Sequence, residues 1–163
     1  MVDLTILSSG PFLLATWEKL KRVPGGRAIF SRIVGQLAPF SGTIQGSVDE
    51  LSPGHARISM RDRRRVRNHL NSVHAIAAAN LAELASGLAL VASVPADSRG
   101  ILVGFQISYK KKGRGTLTAE SRFDPEPVKV HGEHEVPVMV LDGSGSTVAE
   151  ARARWLVGPV VKA

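Results

Sequence analysis

Residues 68–90, NHLNSVHAIAAANLAELASGLAL, join a short polar loop to a long apolar run with a single carboxylate, Glu83, in its middle. Alanine and leucine dominate the run and no proline interrupts it, which predicts a helix that continues to about Ala92. Asn71 or Ser72 is the expected N-cap. A helix that is apolar on nearly every face must be buried, so other elements have to enclose it.

Strand patterns lie on both sides of this helix. Alternation within residues 43–61, broken by Ser52-Pro53-Gly54, predicts a hairpin before it. Further extended segments follow the helix, at residues 101–109, 117–123, 128–141 and 147–157. Gly113-Arg114-Gly115 is a turn signal, after which the second segment is expected to return beside the first. Pro137 predicts that part of the third segment is an edge or a bulge.

One buried helix and about five or six strands predict an α+β fold, in which a meander of antiparallel strands curls around the helix. Residues 11–38 contain two more helical patterns, ended by Pro24-Gly25-Gly26 and Pro39, that are expected to flank the sheet. The 163 residues suit one domain. We expect a helical extension over residues 1–40 and a core over residues 41–160.

Composition narrows the classes of function. The chain has no cysteine, which excludes thiol nucleophiles and thiolate metal sites, and its five histidines show no ligand spacing, so no metal is expected. No signal peptide is apparent and no apolar stretch approaches the ~18 residues of a membrane helix. We expect a cytoplasmic protein without a membrane partner.

The net charge of +7 is concentrated in two basic clusters, Arg61–Arg67 and Lys110–Arg114. Such clusters attract nucleic acid or a phosphorylated cofactor, or they are solvated strand ends. Aromatic residues make up only 5% of the chain, and Tyr109 belongs to an apolar alternation. Because few rings are available to stack on bases, nucleic acid is not the expected partner.

The carboxylate in the helix has two interpretations. At 100° per residue, Asn80, Glu83 and Gly87 share a narrow stripe with Ile76. A fully desolvated, unpaired carboxylate costs several kcal/mol. Glu83 is therefore either a general base or nucleophile with a tuned pKa, or a structural acid hydrogen-bonded across a subunit contact. Gly87 leaves room for a ligand one turn further along.

The start of the helix supplies hydrogen-bond donors. Free N–H groups at Val73, His74 and Ala75 suit a developing oxyanion. Asn68 either orients a water or carbonyl, or simply forms a turn. His74 either orients a ligand or bonds a backbone carbonyl, and we expect a structural role for His69.

Asn68 lies six residues before His74, and Glu83 lies nine residues after it. This spacing resembles that of hotdog-fold acyl-CoA thioesterases of the phenylacetate-pathway type. The segment HAIAAANLAELASGL resembles an uncharacterised hotdog branch more closely. The resemblance includes SPGHARISM before the loop and ISYKKKGRGTLTAESRF after the helix, and it covers roughly residues 40–158.

The resemblance implies a homodimer, or a dimer of dimers, whose sheets join edge to edge and whose active sites lie at the dimer interface. Glu83 of one chain would activate water or attack directly, while Asn68 of the partner subunit and the Ala75 N–H would act on the thioester carbonyl. Coenzyme A enters as part of the substrate, and no separate cofactor is implied. The expected substrate-binding residues are Asn80, Gly87, Lys110, Lys111, Lys112 and Arg114, with the Arg63–Arg67 run as further cations.

Two departures from the family pattern bear on catalysis. Two glycines follow the histidine in the family, where this chain has Ala75 and Ile76. Alanine keeps the N–H, whereas isoleucine adds bulk beside the expected acyl tunnel. Glu83 is one methylene longer than the commoner aspartate. A protein that binds acyl-CoA without cleaving it is therefore the alternative. A hydratase of the same fold is disfavoured, because no suitable Asp–His pair is present.

Overall fold

The apolar run around Glu83 forms a 17-residue helix in the computed structural model, which describes residues 9–160. The helices within these residues are α1 (Gly10–Leu20), α2 (Gly26–Leu37), α3 (Pro39–Gly42) and α4 (Ala75–Val91). The strands are β1 (Ser47–Ser52), β2 (His55–Met60), β3 (Ser98–Tyr109), β4 (Leu117–Arg122), β5 (Gly132–Leu141) and β6 (Thr147–Pro159). Short 3-10 turns cover Arg64–Val66 and Pro127–Lys129.

Helix α4 lies against the sheet and packs mainly on β2, β4 and β5. Leu81 and Ala85 are fully buried there, in one apolar cluster with Ile58 and Leu117. The N-cap is His74, so the expectation of Asn71 or Ser72 is wrong. The reason is that the chain pairs with itself as an isolated bridge between residues 67 and 73, which delays the start of the helix.

The strand order in the six-stranded sheet is β1-β2-β4-β5-β6-β3, and every pairing is antiparallel. The α+β class and the sheet wrapped around a central helix are confirmed. The meander is only partly right, because β3 and β4 are not neighbours. Gly113 does not close a tight hairpin. Its carbonyl instead accepts the N–H of Val73 at 2.8 Å, so the connection is tied to the loop before α4 and crosses the end of the sheet.

Strand β5 is interior in the strand order, but among the described strands its residues 132–137 pair only with β6, so the expectation that part of this segment is an edge is confirmed. The pairing of β4 with β5 ends at Ser121 and Val138, one residue short of this proline. The Pro137 carbonyl accepts the Ser121 hydroxyl at 2.9 Å on that side. Because the ladder has already ended there, the missing N–H of proline costs no pairing.

The two N-terminal helices contribute to the same core as α4. Leu13 and Trp17 of α1, and Phe30 and Val34 of α2, are buried in that cluster. The Trp17 and Phe30 rings lie 5.2 Å apart at a tilt of 60°. Helix α2 packs on β1, and α3 contacts α4, so these helices cover the face of α4 beside Glu83. No helix within residues 9–160 is long and apolar enough to cross a membrane.

Candidate active site

The loop before α4 is organised by the Asn68 side chain. Its Oδ1 accepts the N–H of Leu70 at 3.0 Å, the N–H of Ser72 at 3.3 Å and the Ser72 hydroxyl at 3.1 Å. Because two backbone N–H groups donate to this atom, it is the oxygen and not the nitrogen of the Asn68 amide. The Asn68 amide nitrogen makes no hydrogen bond to any described residue. Asn68 therefore forms a turn and still carries free donors.

The first turn of α4 supplies another donor. His74 Nδ1 accepts the N–H of Ile76 at 3.0 Å, and the His74 N–H donates to the Val66 carbonyl at 2.7 Å. His74 is thus a helix cap, and its role in orienting a ligand stays a prediction. Within the described residues, the Ala75 N–H has no acceptor. The Tyr109 hydroxyl donates to the Ala75 carbonyl at 2.7 Å and fixes this turn.

A cavity of about 260 Å³ joins these groups. Asn68, Ala75 and Lys110–Lys112 line it, so the structure brings the predicted oxyanion donors next to the predicted phosphate ligands. Ile76 does not line this cavity. It lies with His74 on a separate depression. The isoleucine that replaces the second family glycine therefore adds no bulk beside Asn68 and Ala75.

Two of the four predicted phosphate ligands between residues 110 and 114 are already paired. Lys110 Nζ lies 3.0 Å from Glu150, and Lys111 Nζ lies 2.5 Å from Asp142. The Lys111 ammonium, with Ser144, holds the pKa of the Asp142 carboxyl well below its usual range. A phosphate would have to displace a carboxylate to bind either lysine, and the assignment of both as substrate-binding residues stays a prediction. In the described part of the chain, Lys112 and Arg114 have no ion pair.

The Arg61–Arg67 cluster also contains both arginines with a side-chain partner and arginines without an ion pair in the described chain. Arg67 donates to Asp62 at 2.6 Å, and this contact lowers the pKa of the Asp62 carboxyl. Arg63 donates to the side chain of Gln45. Arg64 and Arg65 are exposed, and neither has an ion pair with another described residue.

Glu83 lies two turns further along α4 and is half-buried. The Ser41 hydroxyl of α3 donates to Glu83 Oε2 at 3.3 Å. Burial raises the pKa of Glu83, and the Ser41 hydrogen bond offsets part of that rise. Sequence reasoning missed Ser41, because nothing in the PFSG segment indicates a partner 42 residues away.

The stripe of α4 that carries Glu83 is divided between two environments. Gly87 lines the same cavity as Glu83, and a Cβ placed on it would lie 3.9 Å from Glu83 Oε1. Asn80 instead faces the depression lined by Ile76. The Asn80 amide donates to the Phe40 carbonyl at 3.4 Å, and its Oδ1 is buried without a partner in the described residues.

The structure does not bring Glu83 to Asn68 and Ala75 within one chain. Eight residues of helix separate Ala75 from Glu83, which corresponds to about 12 Å along the axis. A reacting carbonyl has to lie within ~3 Å of both its donor and its nucleophile. Within one chain, Glu83 therefore does not share a site with Asn68 and Ala75. Within residues 9–160, no cluster of three or more His, Asp or Glu is placed to hold a metal ion.

A six-stranded antiparallel sheet around a buried helix, with a donor-rich loop at the start of that helix, defines the chain as a hotdog-fold protein, as the resemblance implied. The chain belongs to the DUF4442 family, described as a domain of unknown function, whose model matches residues 26–157. The comparison with curated proteins found no match.

Solved structures support this assignment. A structural-genomics protein is similar over 91% of this chain and 99% of its own, with 33% identity and a TM-score of 0.80. A Pseudomonas aeruginosa protein of unknown function, described as a probable thioesterase, is 22% identical, with a TM-score of 0.73 over 85% of this chain and 97% of its own. A Staphylococcus aureus thioesterase is 16% identical, with a TM-score of 0.67 over 74% of this chain and 99% of its own.

Proposed function

We propose that two copies of this chain hydrolyse acyl-CoA thioesters at sites shared between them. Each site combines Glu83 of one protomer with the Asn68 amide and the Ala75 N–H of the partner subunit. The main observation in support of the proposal is that Glu83 lies far from the Asn68 amide and the Ala75 N–H within one chain. Both donors of the Asn68 loop lack acceptors in the described chain, and the only ionisable group on the buried stripe of α4 lies about 12 Å from them.

The edge of the sheet favours a second copy as the source of the missing half. Strand β3 has twelve residues and pairs only with β6 among the described strands. Ile101 and Val103 on this strand are 47% and 40% exposed. A long unpaired edge with apolar side chains is a template for another strand. Self-pairing of this edge about a two-fold axis would form two equivalent sites.

The named neighbours are compatible with this chemistry. In two structures of the S. aureus thioesterase, alanine replaces a glutamine in one and a glutamate in the other. These two positions are as far apart in sequence as Asn68 and Glu83. The likeness to that protein extends to the fold, and for this chain the assignment of the same pair of positions remains part of our proposal.

Each step of the hydrolysis has a group to perform it. The Glu83 carboxylate takes a proton from water, and the water oxygen bonds to the thioester carbonyl carbon. The carbonyl oxygen becomes an oxyanion that accepts hydrogen bonds from the Ala75 N–H and the Asn68 amide. The tetrahedral intermediate then breaks its C–S bond, and the leaving thiolate takes the proton from Glu83. The products are a carboxylic acid and free coenzyme A.

The pKa of Glu83 suits this role. A general base works best when its pKa lies near the pH at which it operates, and burial moves Glu83 upward from the ordinary carboxyl range. Lys112 and Arg114 would bind the phosphates of coenzyme A beside the Asn68 loop, since they carry no ion pair with a described residue.

A binding protein that holds acyl-CoA without cleaving it is the second candidate. The contact between Ser41 and Glu83 favours it, because a hydroxyl that only stabilises a half-buried acid needs no reaction to explain it. Release of free thiol from a series of acyl-CoAs separates the two candidates. A protein that binds these ligands tightly and releases no thiol is a binding protein.

Mixing two inactive variants tests the shared site. Glu83→Gln removes the base, and Asn68→Asp keeps the loop oxygen but removes the amide donors. In a mixed dimer one site is doubly altered, whereas the other has both native residues. Random exchange makes half of the dimers mixed, so the equimolar mixture is expected to recover about a quarter of wild-type activity.

The controls for this experiment are the two variants alone and a mixture kept below the temperature of subunit exchange. Activity that appears only after exchange requires Glu83 and Asn68 from different chains. If the exchanged mixture never exceeds the mean of the two variants, while size-exclusion chromatography and mass spectrometry confirm mixed dimers, the site is not shared and the proposal is wrong.

A further inference from the structure

A cavity of about 180 Å³ adjoins the Glu83 carboxyl and is separate from the cavity at the Asn68 loop. Its walls are Leu13 of α1, Leu37 and Ala38 at the end of α2, and the α4 face that carries Leu88. The N-terminal helices therefore form one side of it and the central helix forms the other. Except for Ser41 and Glu83, the lining is apolar.

We propose that this cavity binds the acyl group of the thioester, and that the chain accepts aliphatic acyl groups of short to medium length. The inference rests on the proposed function, since it takes Glu83 as the base. The acyl chain begins at the reacting carbonyl, so it has to leave from a point next to the Glu83 carboxyl. The adjoining apolar cavity is lined by Leu13, Leu37 and Leu88, which favour methylene groups over polar ones.

The size of the cavity limits the ligand. Pockets that enclose drug-sized ligands have volumes of ~300–1,000 Å³, so a cavity of about 180 Å³ favours acyl groups of short to medium length. Gly87 contributes to this space, because its missing side chain leaves the helix surface open beside Glu83. An added Cβ there would lie 3.1 Å from the Trp155 ring, so a side chain at position 87 would require the ring to move.

The N-terminal helices therefore determine specificity, whereas the Asn68 loop positions the carbonyl. Leu37 and Ala38 are both partly buried at the point where α2 passes into α3. Leu37→Ala lengthens the space available to the acyl chain. Ala38→Leu shortens it. Neither residue contacts the Glu83 carboxyl in a recorded hydrogen bond, so both changes leave the base in place.

The test measures acyl-chain preference with straight-chain acyl-CoAs and with their non-hydrolysable thioether analogues. Each methylene that fits the cavity is expected to raise kcat/KM, and the affinity for the analogue, by about fourfold up to a cut-off length. Leu37→Ala is expected to move the cut-off to longer chains, and Ala38→Leu to shorter ones. Ile29→Ala and Ala15→Leu make the same changes at exposed positions of α2 and α1, and they are expected to keep the parental cut-off.

The two readouts separate the acyl pocket from the reaction. If the parent hydrolyses no thioester, the proposed function fails, but the affinities for the thioether analogues still decide where the acyl group binds. If the cut-off stays at the parental length in both pocket variants, in hydrolysis and in affinity, the acyl group binds elsewhere and the inference is overturned. Should Ala38→Leu fail to fold, the shift expected for Leu37→Ala decides the question alone.

Discussion

Replacing Glu83 by glutamine separates the two roles that a buried acid can have. Glutamine keeps the shape of the side chain and can still meet Ser41, but it does not ionise. If Glu83 is the general base, kcat/KM falls by about 10²–10⁴-fold, because that is the usual contribution of a positioned base. The same change is expected to stabilise the fold at neutral pH, so activity and stability move in opposite directions.

The size of the stabilisation follows from the contacts of the carboxylate. A good hydrogen bond to a charged group contributes about 1.5–3 kcal/mol, and the Ser41 bond at 3.3 Å is longer than such bonds usually are. Burial of the carboxylate costs several kcal/mol when it is complete, and less here because Glu83 keeps part of its exposure. The remaining cost is about 1 kcal/mol, which corresponds to a rise in Tm of ~2–4 °C in a domain of this size.

The pH dependence has a definite sign. The folded-state pKa of Glu83 lies above the ordinary value of 4.5, so between these two values the folded state binds more protons than the unfolded state. The stability of the parent is therefore highest below the unfolded pKa and falls as the pH rises through the folded pKa. Glutamine does not titrate in this window. The variant is expected to match the parent in acid and to exceed it at neutral pH.

Differential scanning calorimetry at a series of pH values measures this difference, together with thiol release at neutral pH. Glu18→Gln is the matched control, because Glu18 is an exposed glutamate on a helix. Its Tm difference is expected to be small. A Glu83→Gln variant that hydrolyses thioesters at the parental rate, or whose Tm relative to the parent does not rise with pH, would refute the reasoning.

Three further predictions concern neighbouring groups. Ser41→Ala removes the hydrogen bond that lowers the pKa of Glu83, so the acid limb of the kcat/KM profile is expected to move to higher pH; an unmoved limb means that Ser41 does not act on the base. Asn68→Ala is expected to cost about 1–3 kcal/mol of stability because three donors lose their acceptor, whereas Asn68→Asp retains the loop and loses activity. Equal loss of Tm in both variants would limit Asn68 to a structural role. Charge reversal of Lys112 and Arg114 together is expected to weaken coenzyme A binding most strongly at low salt, which calorimetric titration over a salt series measures.

The elements with a strong local pattern could be predicted from the sequence. The apolar run gave α4 within a few residues, because a buried helix of Ala and Leu has no competing local structure. The C-terminal segment TVAEARARWLV has good helix propensity, yet it forms β6. Its alternation placed Ala151 and Ala153 on the buried face and Arg152 and Arg154 on the exposed face, and burial of one face outweighs intrinsic propensity.

The pairing of distant elements could not be predicted in the same way. The turn-like Gly113-Arg114-Gly115 suggested a hairpin, but the neighbour of β3 is β6, which matches it in length and follows it by almost forty residues. Pro137 did indicate that part of β5 is an edge, because the β4 ladder ends one residue away from it. The pairing of β3 with β6 depends on contacts between distant segments, which no local pattern indicates.

In the candidate site, too, features with a local sequence pattern could be predicted and contacts between distant segments could not. A helix N-terminus leaves N–H groups without partners, and the Ala75 N–H was predicted correctly on that ground. The prediction of free N–H groups at Val73 and His74 is wrong, because these groups donate to the carbonyls of Gly113 and Val66. The spacing of Asn68 and Glu83 could be recognised, but the hydroxyl that meets Glu83 comes from Ser41, far away in sequence. Which lysines are free could not be predicted either, because Asp142 and Glu150 reach Lys111 and Lys110 only in the folded sheet.

Two unfavourable features of the isolated chain would both be relieved by association with a second copy. The β3 edge exposes unpaired backbone groups and apolar side chains, and α4 holds a half-buried carboxylate whose only hydrogen bond among the described residues is to Ser41. In the dimer that we propose, a second copy covers this edge and supplies the Asn68 amide to Glu83. Assembly then contributes to stability and completes the site in one step. For such a protein, activity per chain and resistance to unfolding rise together with protein concentration, since both depend on the same association equilibrium.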